Sequence, residues 1–151
     1  HRGTETQRNK MSAWRETALE LLPEYQQLIE KSETPMALWV ELQCRFSLDY
    51  KDLGDDLIKR FYQYAKWCVE SPGQDGYLSD VGTAASVAFY EHLAEQKAIR
   101  DDVYRWLSKE QFLKLESVFG YHQEPEEYEK FKETFLEKKA KFLKQIPKFK
   151  K

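Results

Sequence analysis

The sequence predicts an all-α fold, a compact single-domain array of about six or seven helices ending in a long C-terminal one. Three observations predict it. Apolar residues recur at spacings of three and four along most of the chain. Strand-like alternation over four or more residues is hard to find. Turn chemistry is sparse, with 6 Gly and 5 Pro, and the Asp75-Gly76 pair lacks strand-like flanks, so it reads as an interhelical loop.

The first helical region opens at Ser12, a candidate N-cap. Trp14, Ala18, Leu21, Leu22, Tyr25, Leu28 and Ile29 form its apolar stripe, which Pro23 should kink or split. Thr34-Pro35 then reads as an N-cap with Pro at the first helical position. The helix it opens carries Leu38, Trp39, Leu42, Phe46 and Tyr50 on one stripe, and Leu53-Gly54-Asp55 breaks it. A third helix, from about Asp55 to Glu70, places Leu57, Phe61, Tyr64, Ala65 and Cys68 on one face. A fourth begins near Asp80, with Val81, Ala84, Ala85, Ala88 and His92 inward, and its alanines admit a close neighbour.

A short fifth helix spans roughly Lys97–Leu107, with Ile99, Val103, Trp106 and Leu107 inward. Ser108 through Gln111 fits a capping box, and Gly120 fits the C′ position of the helix so opened. The last helix starts at Glu124-Pro125, with Tyr128, Phe131, Phe135 and Phe142 at helical intervals. Glu126/Lys130 and Glu137/Lys141 fall in the favourable order for helix-surface pairs, as do Glu41/Arg45 and Asp101/Arg105. No internal repeat is present.

Residues 1–10 are polar, begin His1-Arg2-Gly3, and read as a non-native remnant or a disordered extension. Residues 11–144 are expected to form the domain and 145–151 a basic tail. A chain of 151 residues with 41% apolar and 15% aromatic content can build a packed core without metal or disulfide. No apolar run approaches the ~20 residues of a membrane span. Cys44 and Cys68 form no CxxC pair, which points to a reducing, cytoplasmic setting.

The near-neutral total hides an asymmetry. Lys138, Lys139, Lys141, Lys144, Lys148, Lys150 and Lys151 give residues 138–151 a charge of +7 with no acid. Taking those seven from 24 basic residues leaves 17 against 26 acids, so residues 1–137 carry −9. Screening over ~8 Å makes the two ends act independently. The lysines can complement a helix C-terminal dipole, meet an acidic surface such as nucleic acid or lipid, or dock on the acidic body of a second copy.

Candidate chemistry is thin. Setting His1 aside leaves His92 and His122. With Glu91 they make a possible three-ligand metal site or acid/base group, provided the fold joins distant segments. Otherwise His92 is a partly buried, hydrogen-bonded ring on the alanine face, and Tyr121 and His122 staple the turn before the last helix. No nucleophile elbow and no glycine-rich phosphate loop occurs. Cys68, on a core face, should be an inert thiol. Trp67 projects away from the apolar stripe of its helix, as an exposed anchor for a partner or under a second helical layer.

The segments Trp39-Val40-Glu41-Leu42, Tyr64-Ala65-Lys66-Trp67-Cys68, Val87-Ala88-Phe89-Tyr90-Glu91-His92-Leu93, Arg105-Trp106-Leu107-Ser108 and Phe119-Gly120-Tyr121-His122 form a pattern. It resembles a family of small, uncharacterised bacterial helical proteins that pair a VAFYEHL-like helix with a following RWLS…FxYH stretch. The likeness spans residues 36–135. It implies a bacterial cytoplasmic protein, transfers no mechanism, and nominates Glu91, His92, Arg105, Trp106, Tyr121 and His122.

The expected function is a non-catalytic binding module for another protein, such as an adaptor or a toxin-neutralising immunity-type protein. The acidic body suits a basic partner. Trp67, Tyr90, Arg105, Trp106 and Tyr121 are the candidate binding residues, and no metal or cofactor is expected. One rival is a small metal-dependent or acid/base hydrolase using Glu91, His92 and His122. The other is nucleic-acid or acidic-surface binding through the lysine-rich tail.

Overall fold

The computed structural model describes residues 12–146, so the readings of residues 1–10 and of Lys148, Lys150 and Lys151 lie outside it. The described residues are all-α, with nine α-helices and four short 3-10 turns. In order the helices are α1 (Ala13–Leu21), α2 (Gln26–Lys31), α3 (Pro35–Asp49), α4 (Asp55–Glu70), α5 (Val81–Ala88), α6 (Lys97–Arg100), α7 (Lys109–Lys114), α8 (Glu116–Phe119) and α9 (Pro125–Gln145). The count exceeds the expected one because two predicted helices are divided. Pro23 separates α1 from α2 through a 3-10 turn at Pro23–Tyr25, as its missing N–H and fixed φ require. The chain also breaks at Leu115, between α7 and α8.

Caps set most boundaries. Thr34 Oγ1 accepts from Ala37 N at 3.1 Å at the start of α3. Asp80 accepts from Thr83 N and Thr83 Oγ1 at 2.9 and 2.7 Å at the start of α5, and from Gln74 N in the preceding loop at 2.7 Å. Ser108 and Gln111 form the predicted capping box of α7, and Glu124 with Glu127 forms one for α9. Gly76 takes a left-handed φ of 94°, which explains glycine in that loop. Gly120 departs from the expected left-handed C′ geometry, with φ −74° at the end of α8. Its N–H donates to the Glu116 carbonyl at 3.0 Å, and a Cβ there would lie 3.3 Å from the same oxygen.

The core has two aromatic centres. In the first, α3, α4 and α5 converge. The alanines of α5 are buried as predicted, and the backbone at Gly82 lies against α4, where a Cβ would touch the Cys68 carbonyl at 3.4 Å. Trp39 stacks on Tyr64 at 5.2 Å, meets Phe89 at 5.1 Å, and donates its indole N–H to Cys68 Sγ at 3.4 Å. Burial pushes the Cys68 thiol up to about 12, the inert state expected of it. In the second, Phe112 lies 4.0 Å from Phe135 and 4.9 Å from Phe119, packed against α9. No described helix is long and apolar enough to cross a membrane.

Candidate functional site

The 3-10 turn Tyr90–His92 follows α5 directly. Its Tyr90 side chain is 1% exposed and locked in the core. The tight turn leaves Glu91 and His92 partly exposed, with 13% and 32% of their side chains open to solvent. That corrects two expectations: His92 lies past the end of the alanine helix, and Tyr90 has no surface to offer a partner. The short helix α8 packs beside this turn, and the connection from α8 to α9 carries His122.

The fold thus brings together all three residues of the Glu91, His92 and His122 constellation. The two imidazoles stack with centroids 5.7 Å apart and planes 29° from parallel. His122 Nε2 lies 2.8 Å from Glu91 Oε1, and His92 Nδ1 lies 2.8 Å from Glu95 Oε2. Glu91 is the most enclosed of the four, with 13% of its side chain exposed against 43% for His122. Each ring is held by a carboxylate through one nitrogen, leaving its second nitrogen outside that pair.

Beside them lies an open cavity of about 470 Å³. Glu91, Glu95, Asp101 and Glu127 line it with carboxylates, and His122 and Gln123 close one end. Arg100 and Lys130 are the basic side chains of the wall, and Arg100 is tied to the Ala94 carbonyl at 3.0 Å. Lys97, paired with Asp101, holds that carboxyl below the usual carboxylate range. Gln123 Oε1 is buried with no hydrogen-bond partner. Among the described residues no three His, Cys, Asp or Glu side chains are grouped to hold a metal ion. The arrangement can accept hydrogen bonds and positive charge, and it can pass a proton between carboxylate and imidazole.

The other nominated residues lie elsewhere. Trp67 is half-buried, stacks on Tyr64 at 6.1 Å, and lines a separate cavity of about 400 Å³ with Trp14, Pro35 and Pro72. Arg105 pairs with Asp55 at 2.5 Å and with Asp102 at 3.4 Å, not with Asp101. Trp106 stacks on Tyr62 at 6.1 Å and donates to Asp102 at 3.4 Å. Both serve the join between α4 and the 3-10 turn Val103–Arg105. Tyr121 is 74% exposed and meets His122 edge-on at 5.0 Å. Lys138 and Lys139 donate to the carbonyls of Asp101 and Tyr104 at 3.2 and 3.0 Å, so part of the lysine cluster fastens α9 to the body.

Sequence reasoning missed Glu95, Asp101, Gln123 and Glu127. Glu95 was within reach, three residues past His92 and one turn away. The rest depend on how α9 crosses the loop, which no local pattern records. Fold and site together define an all-α protein with a polar, carboxylate-lined cavity between its two aromatic centres. Comparison with protein-family models, curated proteins and solved structures finds no match to the chain.

Proposed function

We propose that the chain is a non-catalytic protein-binding module of a bacterial cytoplasm, and that its cavity receives a basic side chain of the partner. An adaptor or a toxin-neutralising immunity-type protein would use such a surface. The supporting observation is the cavity wall, which carries four carboxylates against two basic side chains. A lysine or arginine tip supplies both charge and donors to that wall. The −9 body would speed encounter with a basic partner. Tyr121, exposed beside His122, would add apolar contact at the rim.

The test is titration of the full chain with lysine- and arginine-rich peptides, alongside a pull-down from the native host at low salt. Salt-sensitive binding that falls about tenfold or more in Glu91→Gln/Glu95→Gln supports the reading, since that variant keeps shape and removes charge. Peptide binding unchanged by the variant, or no stoichiometric partner at low salt, counts against it.

The stacked imidazoles support one second reading, acid/base hydrolysis without metal. Glu91 would orient His122, whose remaining nitrogen would move the proton of an attacking water. Turnover of an ester or amide panel, lost in His122→Ala and kept in Trp67→Ala, would promote this reading above the first.

A further inference from the structure

We propose that the last turns of α9, around Lys141, Leu143, Lys144 and Ile146, form a docking surface for an anionic lipid membrane. This surface is separate from the cavity and does not rest on its reading. The helix is fixed to the body as far as Phe142, whose ring meets Tyr104 edge-on at 5.5 Å. Lys138 and Lys139 are spent on backbone carbonyls of the same segment, and burial lowers the Lys139 ammonium. Beyond Phe142 no hydrogen bond or ion pair to the body is found among the described residues. Leu143 and Ile146 are 52% and 44% exposed and lie three residues apart, on one face. Lys141 and Lys144 stand exposed around them. The sequence adds Lys148, Lys150 and Lys151, and no acid follows Glu137.

Dipole compensation at the helix C-terminus accounts for a lysine there but not for two bare aliphatic side chains. An anionic membrane uses both. Its surface potential attracts each nearby lysine, and aliphatic side chains enter the boundary between headgroups and acyl chains. Neither signal anchors well alone, and here they share one turn of helix. Nucleic acid fits less well. The basic residues are all lysines, which lack the guanidinium fork for base edges, and Leu143 and Ile146 offer no ring for a base to stack on. The −9 body would be repelled by the same membrane, which turns the lysine end toward it.

The experiment is co-sedimentation of the full chain with phosphatidylcholine vesicles, with and without phosphatidylserine, at low and high salt, beside a single-stranded RNA titration. Binding should require phosphatidylserine and reverse in high salt. Lys141→Gln/Lys144→Gln should cut partitioning about twenty-five-fold, at about fivefold per lysine. Leu143→Ser/Ile146→Ser should cut it about tenfold at unchanged charge. These side chains are exposed, so circular dichroism should show both variants folded. The salt and lipid dependence of the unaltered chain tests the proposal even if they are not. Failure to sediment with phosphatidylserine vesicles overturns it. So does vesicle binding indifferent to Leu143→Ser/Ile146→Ser, or RNA binding without vesicle binding.

Discussion

The two aromatic centres are built differently. The first combines Trp39, Tyr64, Phe46, Phe61 and Phe89, supplied mainly by two helices of 15 and 16 residues. The Trp39 N–H donates to Cys68 and the Tyr64 hydroxyl to the Trp14 carbonyl at 2.8 Å, while the Tyr62 hydroxyl is buried without a partner. The second is mostly phenylalanine, Phe112, Phe119, Phe131 and Phe135, and joins two short helices to the last one. Its one phenol, Tyr128, is buried without a partner, and burial pushes it up to about 12. Among the described residues no pair of Phe, Tyr or Trp rings joins the two centres, though the His92–His122 stack lies between them. The Glu91–His122 pair joins them, with Glu91 after α5 and His122 before α9. Each centre keeps a buried, unpartnered phenol, Tyr62 in the first and Tyr128 in the second, whereas the water-accessible carboxylates and imidazoles gather at the seam.

The largest effects test whether the centres are one cooperative unit. Trp39→Ala removes a fully buried indole, and Phe112→Ala a fully buried ring, so each should cost about 3–5 kcal/mol. If the core is continuous, urea denaturation of either variant shows one transition at lower midpoint. A second transition in Phe112→Ala alone would mean that the phenylalanine centre unfolds separately.

A smaller effect belongs to the loop that carries α5, and hence Glu91, into place. Asp80→Ala should cost about 1 kcal/mol, the usual worth of a lost N-cap. The Thr83 hydroxyl, then the Gln74 and Thr83 amides, hold the Asp80 carboxyl below the ordinary carboxylate range. A group depressed in the folded state stabilises above its unfolded pKa of about 4, and that contribution fades as pH falls through the folded value. The stability gap between wild type and Asp80→Asn should therefore shrink below about pH 4 in a pH series of thermal melts. A gap independent of pH would show that charge plays no part in this cap.

The same contrast explains what the sequence could reveal. Helices α3, α4 and α9 were legible because each repeats its apolar spacing over at least four turns, and α3 and α9 also carry a Pro at the start. Residues 89–107 were legible only as inward residues. Ile99, Val103 and Leu107 are buried as expected, yet the predicted helix over them is one short helix and a 3-10 turn. Pieces of three to six residues are too short for periodicity to separate α from 3-10 geometry. That distinction aims the side chains. Continued helix would have left His92 on the alanine face, whereas the 3-10 turn presents it to His122. The site's members were therefore readable one at a time, and their meeting was not.

The smallest expected stability effect falls on the seam, and it is the most informative. His122→Ala removes a half-exposed ring and its bond to Glu91, in a region open to water. Exposed ion pairs contribute roughly 0–1 kcal/mol, so the urea midpoint should move little compared with Trp39→Ala. A loss near that of the core variants would make the pair a structural clasp between the two centres, and would weaken any functional claim on it. A near-neutral result leaves the Glu91–His122 bond without a stability role. Two stacked imidazoles and two carboxylates at the mouth of a cavity then require another explanation, and ligand recognition supplies one. Measuring His122→Ala by denaturation and peptide titration on the same preparation separates a clasp from a binding group, because a clasp weakens both together and a binding group weakens only the second.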